Sequence, residues 1–445
     1  MAMWPISYDP RWRLLGVGAV LYATACAQTG AGGKRVIDVL HQTTVEEPKP
    51  VAFKQSAIHA GSAAALPPVT QPQPGYPAAY GNSELNSRLP GRLPSGPWSV
   101  RWQAPLNAAS PPNHVVEAGN RVLTEGGGFW RLFSSSGSPV AQGNYNGSHV
   151  VLDAAHSLFY FADKDNFLAA YNFDKGARVF MTALSLGGQF IRPFIARSNN
   201  RFVIVGVEMG GPAPARPDRS RQSLVEHIDV GAKLETDSTG LLFSIDATGR
   251  LLVKSDKVAA AVHNDTIAFA VPNAVLLTST DMKPKAALTG DFNPVTLSLD
   301  ESGRIYLLAD KGAGRVLMIL TPEGVLCGEY ALKTPREDLI APPIIGPDHR
   351  VYLVSSAHVT ALDSSAKTLW DATISSQIAG AAVTADGRLL VSAGPEVLAF
   401  DAAGHRTVVH SFAGESLATP PVVTANQDLL VASKTRLYCL KPAGK

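Results

Sequence analysis

An all-β chain built as a ring of repeated sheets is what this sequence predicts, and three observations carry the prediction. Short β-branched and aliphatic runs alternate with turns from Trp98 to the last residue. A turn motif returns about every 40 residues, the span of one small sheet. No long stretch shows the 3.6-residue apolar period of a helix.

Composition agrees. The 445 residues include 39 Gly and 32 Pro, many breakers for a helical protein. Charged residues make up 17%, below the roughly 25% of an average chain, which argues against coiled coils, long solvated helices and disorder. With 39 Lys+Arg against 37 Asp+Glu the net charge is +2, so no nucleic-acid or acidic-polymer footprint is present. Three cysteines, Cys26, Cys327 and Cys439, are too few for a disulfide framework, and Cys327 and Cys439 read as single buried thiols.

Residues 1–25 read as a signal peptide. Arg11 and Arg13 precede the apolar run Leu14–Tyr22, and small residues follow, the order of a secretory signal. The run is far shorter than the ~20 apolar residues of a membrane-spanning helix. Ala23-Thr24-Ala25-Cys26 resembles a bacterial lipobox, with Ala23 where a larger aliphatic is usual. The resemblance makes Cys26 the lipid attachment residue and, with Ala27 rather than Asp next, implies the periplasmic side of the outer membrane. Ordinary cleavage, giving a soluble periplasmic or cell-surface protein, is the competing reading.

Residues 26–97 read as a flexible tether rich in Pro, Ala and Gln. Eight prolines fall between Ser62 and Pro97, a composition too poor in apolar surface to offset chain entropy.

Residues 98–445 carry the repeat. Its first strand follows a polar turn in Asn120-Arg-Val-Leu, Gly303-Arg-Ile-Tyr, His349-Arg-Val-Tyr and Gly387-Arg-Leu-Leu. A second strand then leads into a turn whose third residue falls at Gly137, Gly176, Gly249, Lys283, Gly324, Ala366, Gly404 and Gly444. The spacings are 39, 73, 34, 41, 42, 38 and 40. The long one predicts an insertion of about 33 residues, which is placed at 209–240. A period of ~40 with several strands per repeat describes the blade of a β-propeller. Eight blades fit the length, and seven remain open where the repeats at 113–290 drift. The last repeat ends without an outer strand, and Trp98-Ser-Val-Arg-Trp102 is a strand without a repeat. The two are expected to share one blade and close the ring.

Val359-Thr-Ala-Leu-Asp363 followed by Lys367-Thr-Leu-Trp370 resembles the quinoprotein-type (PQQ-like) repeat. Val397–Gly404 and Leu242–Gly249 are further matches, and Phe53–Gly61 resembles the lead-in of such proteins. One branch of that family is the quinone-dependent dehydrogenases. The other is the non-catalytic lipoproteins resembling the propeller subunit of the outer-membrane β-barrel assembly machinery. The enzymes carry adjacent cysteines over their cofactor, and this chain has none adjacent. The resemblance therefore implies the second branch, with no cofactor.

Chemistry-bearing motifs are sparse. There is no Gly-x-Ser-x-Gly elbow, Walker loop or dinucleotide fingerprint. Asp163-Lys-Asp165-Asn166 lacks the glycine and closing glutamate of a calcium loop and reads as a hairpin turn. Ser298-Leu-Asp300-Glu-Ser-Gly303 reads as turn geometry. No metal set or catalytic group is assigned. The insertion carries Arg216, Arg219 and Arg221, expected partner contacts, then Ser223–Asp229, expected as a short amphipathic helix. The expectation is a non-enzymatic protein-interaction scaffold at the cell envelope, with a β-barrel assembly component as one possible partner. A ligand-binding or adhesion propeller and a quinone-dependent dehydrogenase are the alternatives.

Overall fold

A computed structural model describes residues 55–57, 59–60 and 87–443, less 107–110, 127, 145–146, 154–156, 164–166, 184–188, 199–200, 210–222, 230–240, 244–258, 265, 272, 280–283 and 334–338. All of them fall in one compact unit, Pro48–Lys445. Among the described residues every long regular element is a strand. The strands form eight sheets, six of four strands and two of five.

Seven sheets take four consecutive antiparallel strands, within 114–144, 147–183, 189–243, 259–289, 293–331, 344–373 and 378–411. The eighth combines Val422–Val423, Leu429–Ala432 and Arg436–Pro442 with Trp98–Pro105. The first strand of each sheet packs on the first strand of the next, from His114–Ala118 round to Ile378–Val383, and Val422–Val423 packs back on His114–Ala118. This is a ring of sheets, a β-propeller. The expected closing strand is in place, with Trp98 opposite Pro442 and Trp102 opposite Cys439.

The repeat has a backbone reason. One or two residues ahead of the second strand in seven of the sheets sits a left-handed residue: Asn120, Ser157, Asn264, Gly303, His349, Gly387 and Gln427, with φ from 48° to 82°. Glycine and asparagine tolerate this region best, which is why they recur there. At Gly303, Asp300 Oδ1 accepts bonds from the backbone N–H of Ser302 and Arg304, so this motif is a turn device as its sequence suggests. Residues 164–166 of the Asp163–Asn166 segment, expected as a hairpin turn, lie outside the described residues.

Blades lock through a size match. Trp370 stacks on Phe400 of the next sheet at 5.4 Å and lies over the turn residue Gly404, where an added Cβ would meet the indole at 2.8 Å. Trp102 lies over Gly137 in the same way, and its indole N–H donates to Ser135 O at 2.9 Å. In the fifth sheet the position opposite the next turn is Gly328, and that turn carries Ala366 instead of glycine. Where the tryptophan is present the turn residue is glycine, and where glycine replaces the tryptophan the turn has room for an alanine Cβ.

Two expectations are corrected in the third sheet. Ser223–Asp229 is a strand, not a helix, pairing along its length with Arg201–Met209. A seven-residue ladder outweighs the weak local helical pattern. Leu241–Phe243 consequently lies outside it as the fourth strand, whereas the repeat match at Leu242–Gly249 made it the strand that leads into the turn before the outer one. Gly249 lies outside the described residues.

The free thiols Cys327 and Cys439 belong to different sheets. Burial pushes the Cys439 thiol up to about 12.

Candidate interaction surface

Three regions can meet a partner or ligand: the axis, the turns around it, and the outer strand edges. The axis is partly filled at one end. Leu89 N–H donates to Val383 O at 2.7 Å, and Val383 and Ala385 N–H return bonds to Ser87 O and Gly91 O. Val383 ends the innermost strand of the seventh sheet, whose other edge already pairs with Leu389–Ala393. The segment 87–93 therefore occupies the edge that faces the axis. A Cβ on Gly91 would collide with Thr424 O and Val423 Cγ1 of the eighth sheet. Arg88 Nη1 reaches Glu301 Oε2 of the fifth sheet at 2.5 Å. Leu89 and Leu93 are buried in one cluster with Ala382, Leu390, Val422 and Val423.

The turns around that end hold carboxyls shifted in both directions. Burial raises the Asp300 carboxyl, but bonds from His349, Ser302, Tyr306 and the Arg304 N–H outweigh it and hold the pKa below its ordinary value. Tyr306 OH donates to Oδ2 at 2.8 Å and His349 Nδ1 lies 3.1 Å from it. At the seam between the eighth and first sheets, burial and then the nearby Asp428 push the Glu117 carboxyl up to about 7. Asp428 pairs with Arg101 of the closing strand at 2.7 Å.

At the opposite end of the first sheet, Leu106, Pro112, Thr124, Glu125, Phe129 and Arg131 line a shallow pocket. Its buried Glu125 lies 4.0 Å from His114 Nε2. Among the described residues no three His, Cys, Asp or Glu converge as a metal set.

The outer edges are guarded. In seven sheets the outer strand carries a register shift against its neighbour, the kind of bulge that discourages edge pairing. Two edges are also covered by this chain itself. Gln55–Ala57 runs parallel to the outer strand of the fourth sheet, opposite Ala287–Thr289, and His59–Ala60 runs parallel to that of the fifth, opposite Val325 and Leu326. These pairings and the axial segment fall inside the 26–97 stretch read as a tether.

Cys26, Arg216, Arg219 and Arg221, the site residues expected from sequence, lie outside the described residues. The axial segment was missed. Its signal was Leu89 and Leu93 within Ser87-Arg-Leu-Pro-Gly-Arg-Leu93, two apolar residues in an otherwise polar, proline-rich run.

No protein-family model matches the sequence, and no curated protein matches it. Solved structures do match in shape. Quinohemoprotein alcohol dehydrogenase from Comamonas testosteroni superposes with a TM-score of 0.60 at 10% identity, over 84% of this chain and 81% of that one. BamB from Moraxella catarrhalis gives 0.53 at 13% identity, over 78% and 98%. The C-terminal WD40 domain of Sif2 gives 0.54 at 11%, over 80% and 100%. At these identities the likeness is one of fold: the chain is a β-propeller, of the architecture shared by the quinohemoprotein dehydrogenases and BamB.

Proposed function

We propose that this protein is a non-enzymatic interaction scaffold of the bacterial cell envelope, an eight-bladed propeller exported by residues 1–25 and anchored through lipid on Cys26. Its specific task in this reading is to assist the assembly of outer-membrane β-barrel proteins. The observation that carries the proposal is the placement of Ser87–Leu93. The chain fills one end of its own axis, the region where a propeller would hold a small axial ligand, and leaves turns and outer strands as the surface on offer. BamB among the structural neighbours supports the same reading. One fold hosts many functions, and the dehydrogenase neighbours keep a quinone-dependent enzyme as the alternative. The filled axis end counts against it.

Crosslinking in intact cells, followed by purification from membranes and mass spectrometry, tests the proposal. Reproducible recovery of a β-barrel assembly component is the expected result. Recovery of no protein partner sinks the scaffold reading and turns attention to small ligands.

A further inference from the structure

The two edges covered by residues 55–60 demonstrate how this molecule takes an extra strand. In both, a short extended segment lies parallel to the outer strand and pairs through its backbone. In the fifth sheet that pairing sits at Val325 and Leu326, ahead of the register shift at Cys327. In the fourth sheet the pairing sits at Ala287–Thr289, past the shift at Lys285, and in the first, second and sixth sheets the shift comes at the second residue of the outer strand, at Val140, Val179 and Leu369.

The seventh sheet differs. Its outer strand Arg406–Ser411 stays in register through Arg406, Thr407 and Val408, and the shift comes only at Val409. All three residues are exposed, and Val408, at 55%, is the most exposed large hydrophobic residue among the described residues. Arg406 forms no ion pair among the described residues, and no acidic residue lies on the strand. An exposed regular edge with an apolar side chain invites pairing.

We propose that the edge Arg406–Val408 is a docking site for an extended partner segment that adds as a fifth strand, parallel to Arg406–Ser411. The partner is an acidic–apolar stretch, with a carboxylate opposite Arg406 and an apolar side chain against Val408 two residues on. Backbone pairing supplies the attachment and the alternate side chains supply the selection. The cis strand on the fifth sheet is the pattern, and the partner replaces it in trans. This deepens the scaffold reading and rests on it.

The test uses the purified full chain and a fluorescently labelled peptide of alternating Glu and Val. Saturable binding in fluorescence anisotropy is expected. Substitution R406E should weaken it about tenfold or more and confer binding of the matching Lys/Val peptide, and V408E should abolish it. A peptide with a central proline should not bind, because it cannot complete the ladder. Binding that ignores R406E and V408E, or that tolerates the proline, overturns the proposal. So does a chain that sediments as a dimer until V408E is introduced, since the occupant is then a second copy. Failure here alongside a partner recovered by crosslinking rejects this edge and leaves the scaffold standing, whereas recovery of no partner in cells rejects the scaffold itself.

Discussion

Glu117 has one oxygen buried with no hydrogen-bond partner, and its position beside Asp428 gives the ring seam a pH dependence. With the pKa raised from 4.5 to about 7, the folded state holds this proton more tightly than the unfolded one. The group's contribution is therefore most favourable below 4.5, falls as pH rises toward 7, and is constant above. Glu117→Gln removes that slope. The variant should be more stable than the parent by about 2 kcal/mol at pH 8 and nearly equal at pH 4.5, read from urea midpoints. A gain of the same size at both pH values would show that packing, not charge, is responsible. Asp300 has the opposite sign: its depressed pKa gives stability above the ordinary carboxylate range that is lost on acidification. The pairing of Asp428 beside Glu117 was not legible in the sequence, because the two residues come together only through ring closure.

At the level of the strand and turn, the size match between neighbouring sheets makes paired claims. Gly404 has φ of +85° and Trp370 directly above it. Gly404→Ala should cost about 2 kcal/mol or more, from the left-handed backbone together with the clash. Ala366→Gly, at the equivalent turn with φ of +64° and only Gly328 opposite, should stay within about 1 kcal/mol of the parent. Thermal unfolding of the two variants separates these outcomes, and equal losses would refute the size-match account. The turn register was readable because glycine and asparagine answer a local backbone demand. The strand Ser223–Asp229 was not, since its assignment depends on Arg201–Met209, a pairing no local pattern reveals. The axial segment was hidden for a related reason: two leucines among prolines take their meaning only from the inner strands that receive them.

For the whole molecule, the closing sheet decides whether the ring exists. A chain beginning at Ser87 keeps the axial segment and Trp98–Pro105, and it should unfold in one cooperative transition. A chain beginning at Leu106 loses both, and its near-ultraviolet circular dichroism should show no fixed aromatic packing. A folded Leu106 chain would contradict the clasp as the source of closure. The clasp was foreseen from an orphan strand at one end of the repeats and a missing one at the other, the one long-range feature that counting alone can supply. It also sets an order of events in time. Gln103 and Arg436 meet across 333 residues of sequence, and so distant a contact forms late. A ribosome releases the first strand of the closing sheet long before the last exists, and until then the eighth sheet lacks its outer strand's partner.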